Sequence, residues 1–205
     1  MPQSRRGFLK GSAAAAAGAL GSLGATSASG AEAKPGASEV CFQRRIPIRH
    51  EVDVFVAGGG PAGLAAAVAA ARQGRKVFLA ERNNCFGGMG TAGMLPLFMQ
   101  FTDGVNMLAG GLGAEILKTL RERGGTGPGS EVTIRAEVLK RVYDDLVQGA
   151  KVDFGFHTDL IAVEAEQGRV TAAILAAKSG LFAVKAKMFI DGTGDGDLAA
   201  WAGAP

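Results

Sequence analysis

The feature that most constrains this chain is a glycine turn set between two apolar runs. Val52-Asp53-Val54-Phe55-Val56-Ala57 is short, β-branched and apolar, as suits a strand buried on both faces. It runs directly into Gly58-Gly59-Gly60-Pro61-Ala62-Gly63. Leu64 to Gln73 follows as an Ala-rich helical stretch closed by Gly74, and Lys76-Val77-Phe78-Leu79-Ala80 is a second strand ending at Glu81. Strand, G-x-G-x-x-G turn, helix, strand and acid in register predict a βαβ unit that cradles a dinucleotide pyrophosphate. Gly58 permits the sharp turn, Gly60 lets the backbone approach the phosphates, and Gly63 lets the helix pack close to the strand. Pro61 and Ala62 open that helix, where proline loses nothing and free N–H groups point at an anion. Glu81, 18 residues after Gly63, is placed to accept from a ribose diol, which favours a dinucleotide without a 2′-phosphate.

The fingerprint alone does not separate FAD from NAD. Glu81-Arg82-Asn83-Asn84-Cys85-Phe86-Gly87-Gly88 resembles the E-R-x(4)-G-G continuation of the two-dinucleotide-fold flavoproteins. That resemblance implies that Arg82, Gly87 and Gly88 lie along the ribityl and flavin end of FAD. Ala186-Lys187-Met188-Phe189-Ile190-Asp191 then reads as a strand entering Gly192-Thr193-Gly194-Asp195-Gly196-Asp197, which resembles the second FAD motif of the same proteins. By that resemblance Thr193, Gly194 and Asp195 line the cofactor, with Asp195 bonding the ribityl chain and a helix from Asp197 to Trp201 aimed at the pyrophosphate. An alternative makes the same loop a helix start capped by aspartate, a role Asp197 can fill beside cofactor contact by Asp195.

Leu112–Arg123 and Arg135–Gln148 have the apolar spacing of amphipathic helices, and Lys151–Phe156, Asp159–Glu166, Val170–Ala177 and Leu181–Lys185 that of strands. Gln167-Gly168 and Ser179-Gly180 separate three of these as hairpins. Together with Gly110-Gly111-Leu112-Gly113-Ala114-Glu115 and Gly124-Gly125, the ending through Ala199 resembles the FAD-dependent oxidoreductase family, over residues 50–205. The resemblance implies an α/β, Rossmann-like FAD-binding domain with a central parallel sheet and a three-stranded antiparallel β-meander, set before the final parallel strand. It also implies FAD as cofactor and a small-molecule substrate. One departure is Gly192, where the family usually carries Ala, a small change. Flavoproteins of this build continue into a substrate domain, so 50–205 is expected to be an incomplete FAD-binding domain without turnover of its own.

Ser4-Arg5-Arg6-Gly7-Phe8-Leu9-Lys10, a weakly apolar run from Ser12 to Leu23, and Ala31-Glu32-Ala33 match the anatomy of a twin-arginine signal peptide over residues 1–33. The expected location is periplasmic or extracellular, with the twin-arginine machinery as a partner and residues 34–49 as a linker. Arg5, Arg6 and Lys10 against Glu32 account for two of the three formal positive charges. No basic block remains to suggest a nucleic-acid groove.

Cys41 and Cys85 are expected to be free thiols, Cys85 a buried structural one. His50 and His157 lie beside no second ligand, so no metal site is expected, and both are expected to be solvated or capping. Met89, Met94, Met99 and Met107 are expected to fill core space, with a loop over the flavin as the other possibility. No side chain stands out as catalytic, which suits chemistry carried by a cofactor. Three further assignments stay open: an exported FAD-binding or electron-transfer module without a substrate, a flavoprotein of the fumarate reductase and succinate dehydrogenase group, and an NAD-linked dehydrogenase.

Overall fold

A run of apolar residues in a strand must be covered on both sides, and the end of the first strand and the whole of the second are such runs. The computed structural model describes residues 40–127 and 132–204. The export signal expected over residues 1–33 lies outside them, as does the first part of the linker. All elements lie in the unit that begins at Arg44.

In chain order they are β1 (Ile48–Ala57), α1 (Pro61–Arg72), β2 (Val77–Ala80), a 3-10 turn (Gly88–Gly90), α2 (Leu112–Glu122), α3 (Ala136–Gly149), β3 (Asp153–Gly155), β4 (Thr158–Glu166), β5 (Arg169–Ala177), β6 (Gly180–Asp191) and α4 (Asp197–Trp201). One six-stranded sheet runs β3-β2-β1-β6-β5-β4. The pairs from β3 to β6 are parallel, and β6-β5-β4 are antiparallel.

The side chains of β1 and β2 alternate between two cores. Val54, Val56, Val77 and Leu79 join Leu64 and Val68 of α1, Leu120 of α2, and Leu139, Val142 and Tyr143 of α3. Phe55, Ala57, Phe78 and Ala80 face the opposite side, with Leu175, Phe182, Val184 and Leu198. Two ion pairs tie the helical layer at its surface: Arg72 of α1 grips Glu115 of α2 with both guanidinium nitrogens at 2.8 Å, and Arg123 after α2 reaches Asp145 of α3 at 2.6 Å.

The meander differs in one respect from the expectation. Leu181–Lys185 and the strand entering the second glycine motif are a single strand, β6, and not two. No breaker stands between Lys185 and Ala186, so the chain stays extended and changes partners along its length. Its first half pairs with β5, its second half with β1, and Ala183, Val184 and Lys185 pair with both. The meander is therefore fused to the parallel sheet edge to edge. The β4–β5 hairpin turns at Gln167 (φ 51°) and Gly168 (φ 74°), both left-handed, as a two-residue turn between twisted strands requires.

His50 is half-buried against an aromatic ring and does not stand free in solvent. Pairing of β1 with β6 slips between Ile48 and His50, and the imidazole stacks on Phe78 at 4.1 Å between ring centres, with Phe182 at 5.9 Å. Its neighbour Arg49 lies over Phe182 at 4.8 Å and donates to the Ser179 hydroxyl at 2.7 Å. Burial lowers the His50 pKa, helped by Lys76 and Arg49 and opposed by Asp153. A histidine whose folded pKa lies below its unfolded value stabilises the fold above the unfolded pKa of about 6.5, and this contribution is lost as pH falls through the folded value. Melting temperature is therefore expected to drop by at most a few degrees as pH is lowered from about 7 to about 5.5, measured by circular dichroism. His50→Phe, which keeps the stacking, is expected to flatten that portion of the curve.

Candidate functional site

Three loops leave the sheet at one level, because the strands before them end in register. Ala57 of β1 pairs with Ala80 of β2 on one side and with Asp191 of β6 on the other. The next residues are Gly58, Glu81 and Gly192, the first residues of the three segments singled out in the sequence. Gly58 N–H donates to the Ala80 carbonyl at 2.8 Å, and Gly192 N–H to the Ala57 carbonyl at 2.7 Å. The carboxyl ends of parallel strands where connections diverge are where open α/β sheets bind ligands.

The glycines at this edge have different reasons to be glycine. Gly58 has φ 91°, and a Cβ on it would overlap the carbonyl of Gly192. A Cβ on Gly63 would overlap the Gly58 carbonyl oxygen, and one on Gly192 would sit 2.8 Å from the Gly63 Cα. Gly192 is thus no casual replacement for alanine, because the two motifs touch backbone to backbone there. Gly60 is the exception. Its φ of −64° suits any residue, and a Cβ there would find its nearest protein atom 3.9 Å away. Nothing in the protein demands glycine at Gly60, whereas a ligand pressed against that backbone would.

The acids at this edge hold the backbone of the loops. Glu81 is 3% exposed. Its Oε2 accepts from Gly59 N–H at 2.7 Å, and its Oε1 accepts from the backbone and side-chain nitrogens of Asn83, both at 2.7 Å. Glu81 thus holds the fingerprint turn from beneath while an Oε2 lone pair is left for a ribose hydroxyl. Gly87 N–H donates to the Gly59 carbonyl at 2.8 Å, and a Cβ on Gly88 would lie 3.3 Å from the Gly60 Cα. The paired glycines therefore lie against the fingerprint turn. The side chain of Arg82 is exposed.

In the third loop Asp195 and Gly194 are exposed at the tip, and Thr193 is half-buried behind them. The cap of α4 is not the aspartate that the alternative reading offered. Asp197 is its first helical residue and caps nothing; the Thr193 hydroxyl instead accepts from the N–H groups of Gly196 at 3.0 Å and Asp197 at 3.1 Å. Among the described residues, the N–H groups of Gly60, Ala62, Gly63, Gly194 and Asp195 have no protein acceptor. Pro61 has none to give. These open donors, beside a turn with space at Gly60, suit a long anionic diphosphate, and the chain's residues fit such a group.

Sequence patterns missed three contributors. Asp191 accepts from Thr193 and Ala199, Asn83 pairs with Glu81, and Thr91, 2% exposed, donates from its hydroxyl to the Phe86 carbonyl at 2.6 Å to pin the paired-glycine loop. An aspartate two residues before a threonine in a glycine turn is a local bonding signal that would have drawn attention to Asp191. Both cysteines are free, and Cys85 is buried with its thiol 3.9 Å from the Thr91 hydroxyl. The methionines are the clearest correction: Met89, Met94, Met99 and Met107 are 64%, 82%, 89% and 55% exposed and fill no core. They begin directly after Gly88, at the rim of the site.

A family model described as FAD dependent oxidoreductase matches residues 53–205. A protein named thiamine thiazole synthase from Pyrobaculum neutrophilum is 33% identical over 128 residues, covering 60% of this chain and 46% of that protein. A second of that name, from Desulfosudis oleivorans, is 53% identical over 47 residues, 23% of this chain and 18% of that protein. The chain thus spans about half the length, or less, of the curated relatives it matches. Among solved structures, a geranylgeranyl bacteriochlorophyll reductase-like protein from Thermoplasma acidophilum has a TM-score of 0.54 at 20% identity, over 75% of this chain and 42% of that one. THI4 of Thermovibrio ammonificans has the same score and identity, over 74% of this chain and 61% of that one. At such identity these two likenesses show the fold alone.

The two kinds of glycine predict opposite outcomes for one substitution. Gly63→Ala, which overlaps fixed backbone, is expected to cost about 1–3 kcal/mol of stability without any ligand. Gly60→Ala is expected to leave ligand-free stability unchanged or raise it by under about 1 kcal/mol. Chemical denaturation of both variants checks this, and equal losses would contradict the packing described.

Proposed function

The chain belongs to the FAD dependent oxidoreductase family, and from that premise we propose that residues 50–205 hold the FAD of an exported oxidoreductase that passes electrons between a small-molecule substrate and an acceptor. The observation that carries the reading is the set of open N–H groups around Gly60, a glycine the protein's own packing does not require. The N–H groups of Gly60, Ala62 and Gly63, at the positive end of α1, would take the pyrophosphate. Glu81 would accept from the adenosine ribose, and Asp195 from the ribityl chain. Arg82, Gly87 and Gly88 would run along the remaining length. When bound, FAD supplies the electron transfer; the chain supplies binding, orientation and exclusion of water from the phosphates.

Export is the second element of the proposal. Its support is the Arg5-Arg6 pair with Phe8-Leu9-Lys10 behind it and a small-residue site at Ala31-Glu32-Ala33. A route that carries folded proteins suits a domain whose cofactor is enclosed between loops far apart in sequence. The 33% identity to a thiamine thiazole synthase over 128 residues favours a second reading, in which the same nucleotide site serves thiazole formation.

Purified protein is expected to show the visible absorption bands of flavin, or to acquire them on titration with FAD. Gly60→Val, which fills the open space at the turn, is expected to weaken FAD binding at least tenfold, about 1.4 kcal/mol, while its ligand-free unfolding stays near that of the unaltered chain. A colourless protein that ignores FAD would end the proposal. Reduction of bound flavin by candidate donors, set against an assay for a thiazole product, separates the two readings. For export, Arg5→Lys combined with Arg6→Lys is expected to leave the protein in the cytoplasmic fraction, read by immunoblot after cell fractionation.

A further inference from the structure

We propose that Asp191, acting through Thr193, is the positioning residue that sets the 192–197 loop for cofactor binding; the inference rests on the FAD reading above. Asp191 is the last residue of β6, and its backbone is fixed by pairing with Ala57. Its carboxylate folds over the strand end and binds at two places. Oδ1 accepts from the Thr193 N–H at 3.0 Å and from the Thr193 hydroxyl at 2.7 Å, and Oδ2 accepts from the Ala199 N–H inside α4 at 2.9 Å.

The Thr193 hydroxyl is itself fully used. It has one proton to give and two lone pairs to fill. The proton goes to Asp191, and the lone pairs accept from Gly196 at 3.0 Å and Asp197 at 3.1 Å. One carboxylate and one hydroxyl therefore determine the backbone from strand end to helix start.

The outcome is selective. Gly192 N–H is held by Ala57, Thr193 and Ala199 by Asp191, and Gly196 and Asp197 by Thr193. Leu198 N–H also acts on the Asp191 carboxylate. The two N–H groups left over are those of Gly194 and Asp195, at the exposed tip. Gly194 has φ 91° with no protein atom within 4 Å of where a Cβ would stand, so the tip is free of packing demands and is shaped from behind. Burial of Asp191 opposes ionisation, yet the N–H groups of Ala199 and Thr193 and the Thr193 hydroxyl outweigh it and hold the carboxyl below its ordinary range. The loop thus presents its two free donors in one geometry before any ligand arrives, which reduces the ordering cost of binding.

The test compares the full 205-residue chain with Asp191→Asn, Thr193→Val and Thr193→Ser. FAD affinity is read by flavin fluorescence, and the ligand-free melting temperature is read for each protein. Asparagine keeps the shape of aspartate but has one acceptor oxygen in place of two, and valine keeps the volume of threonine without its hydroxyl. The expected result is FAD binding weaker by roughly tenfold or more for Asp191→Asn and Thr193→Val, a smaller loss for Thr193→Ser, and ligand-free melting within about 3 °C of the unaltered chain. If the unaltered chain binds FAD and both disruptive variants bind it within twofold, this inference is overturned and the FAD assignment stands. If affinity falls only in step with the ligand-free melting temperature, the two residues are merely structural and the inference is likewise overturned. An unaltered chain that binds no FAD overturns the functional reading and this inference together.

Discussion

Three glycines in backbone contact hold the edge of this sheet together. Gly58 follows β1, Gly63 lies in the first turn of α1, and Gly192 follows β6; a Cβ on any of them would strike the backbone of another. The contact joins segments far apart in the chain. It lets α1 come down close to the strand that precedes it, and it brings the loop after β6 against the loop after β1. Side chains of any size at these positions would move the elements apart, and the row of free N–H groups would no longer lie along one edge.

Around that contact, carboxylates organise the backbone. Glu81 directly follows the strand on one side of β1, and Asp191 ends the strand on the other. Each turns back over its strand end and accepts from the amides of a glycine loop. Each carboxyl holds the amides of a loop that has few side chains of its own to pack. Among the described residues no buried side-chain nitrogen or oxygen lacks a partner. The open donors of the site belong to the backbone, at Gly60, Ala62, Gly63, Gly194 and Asp195.

The apolar stretch after Gly88 shows where a pattern fails to announce its surroundings. Methionines among glycines, leucine and phenylalanine read as core, because composition carries no direction. Phe101 is buried at 8% exposure, while Met99 two residues earlier stands at 89%. The difference lies in how Phe98 and Phe101 meet edge to face at 5.4 Å while the segment between them curls outward. His50 is the converse case. It follows Arg49 and precedes Glu51, polar neighbours that suggest solvent, yet a slip in strand pairing turns its ring onto Phe78. Both outcomes rest on ring contacts and strand pairing that exist only in the folded chain, so neither was legible in the sequence.

The local order of elements was legible. The turn between β1 and α1, the ends of α2 and α3 to within a residue, and the hairpin at Gln167-Gly168 all follow from backbone demands met by residues next to one another. The sequence by itself thus determined where the helices and most of the strands lie, and that two glycine loops follow strand ends. Only the tertiary structure decided that β6 is shared between the meander and the parallel sheet, that a Cβ at Gly192 would crowd Gly63, and that Thr193, not an aspartate, caps α4. The physical reason is the range of the forces involved: dihedral preference and capping act within a few residues, whereas steric exclusion and hydrogen-bond saturation between strand ends exist only once the chain has brought those ends together.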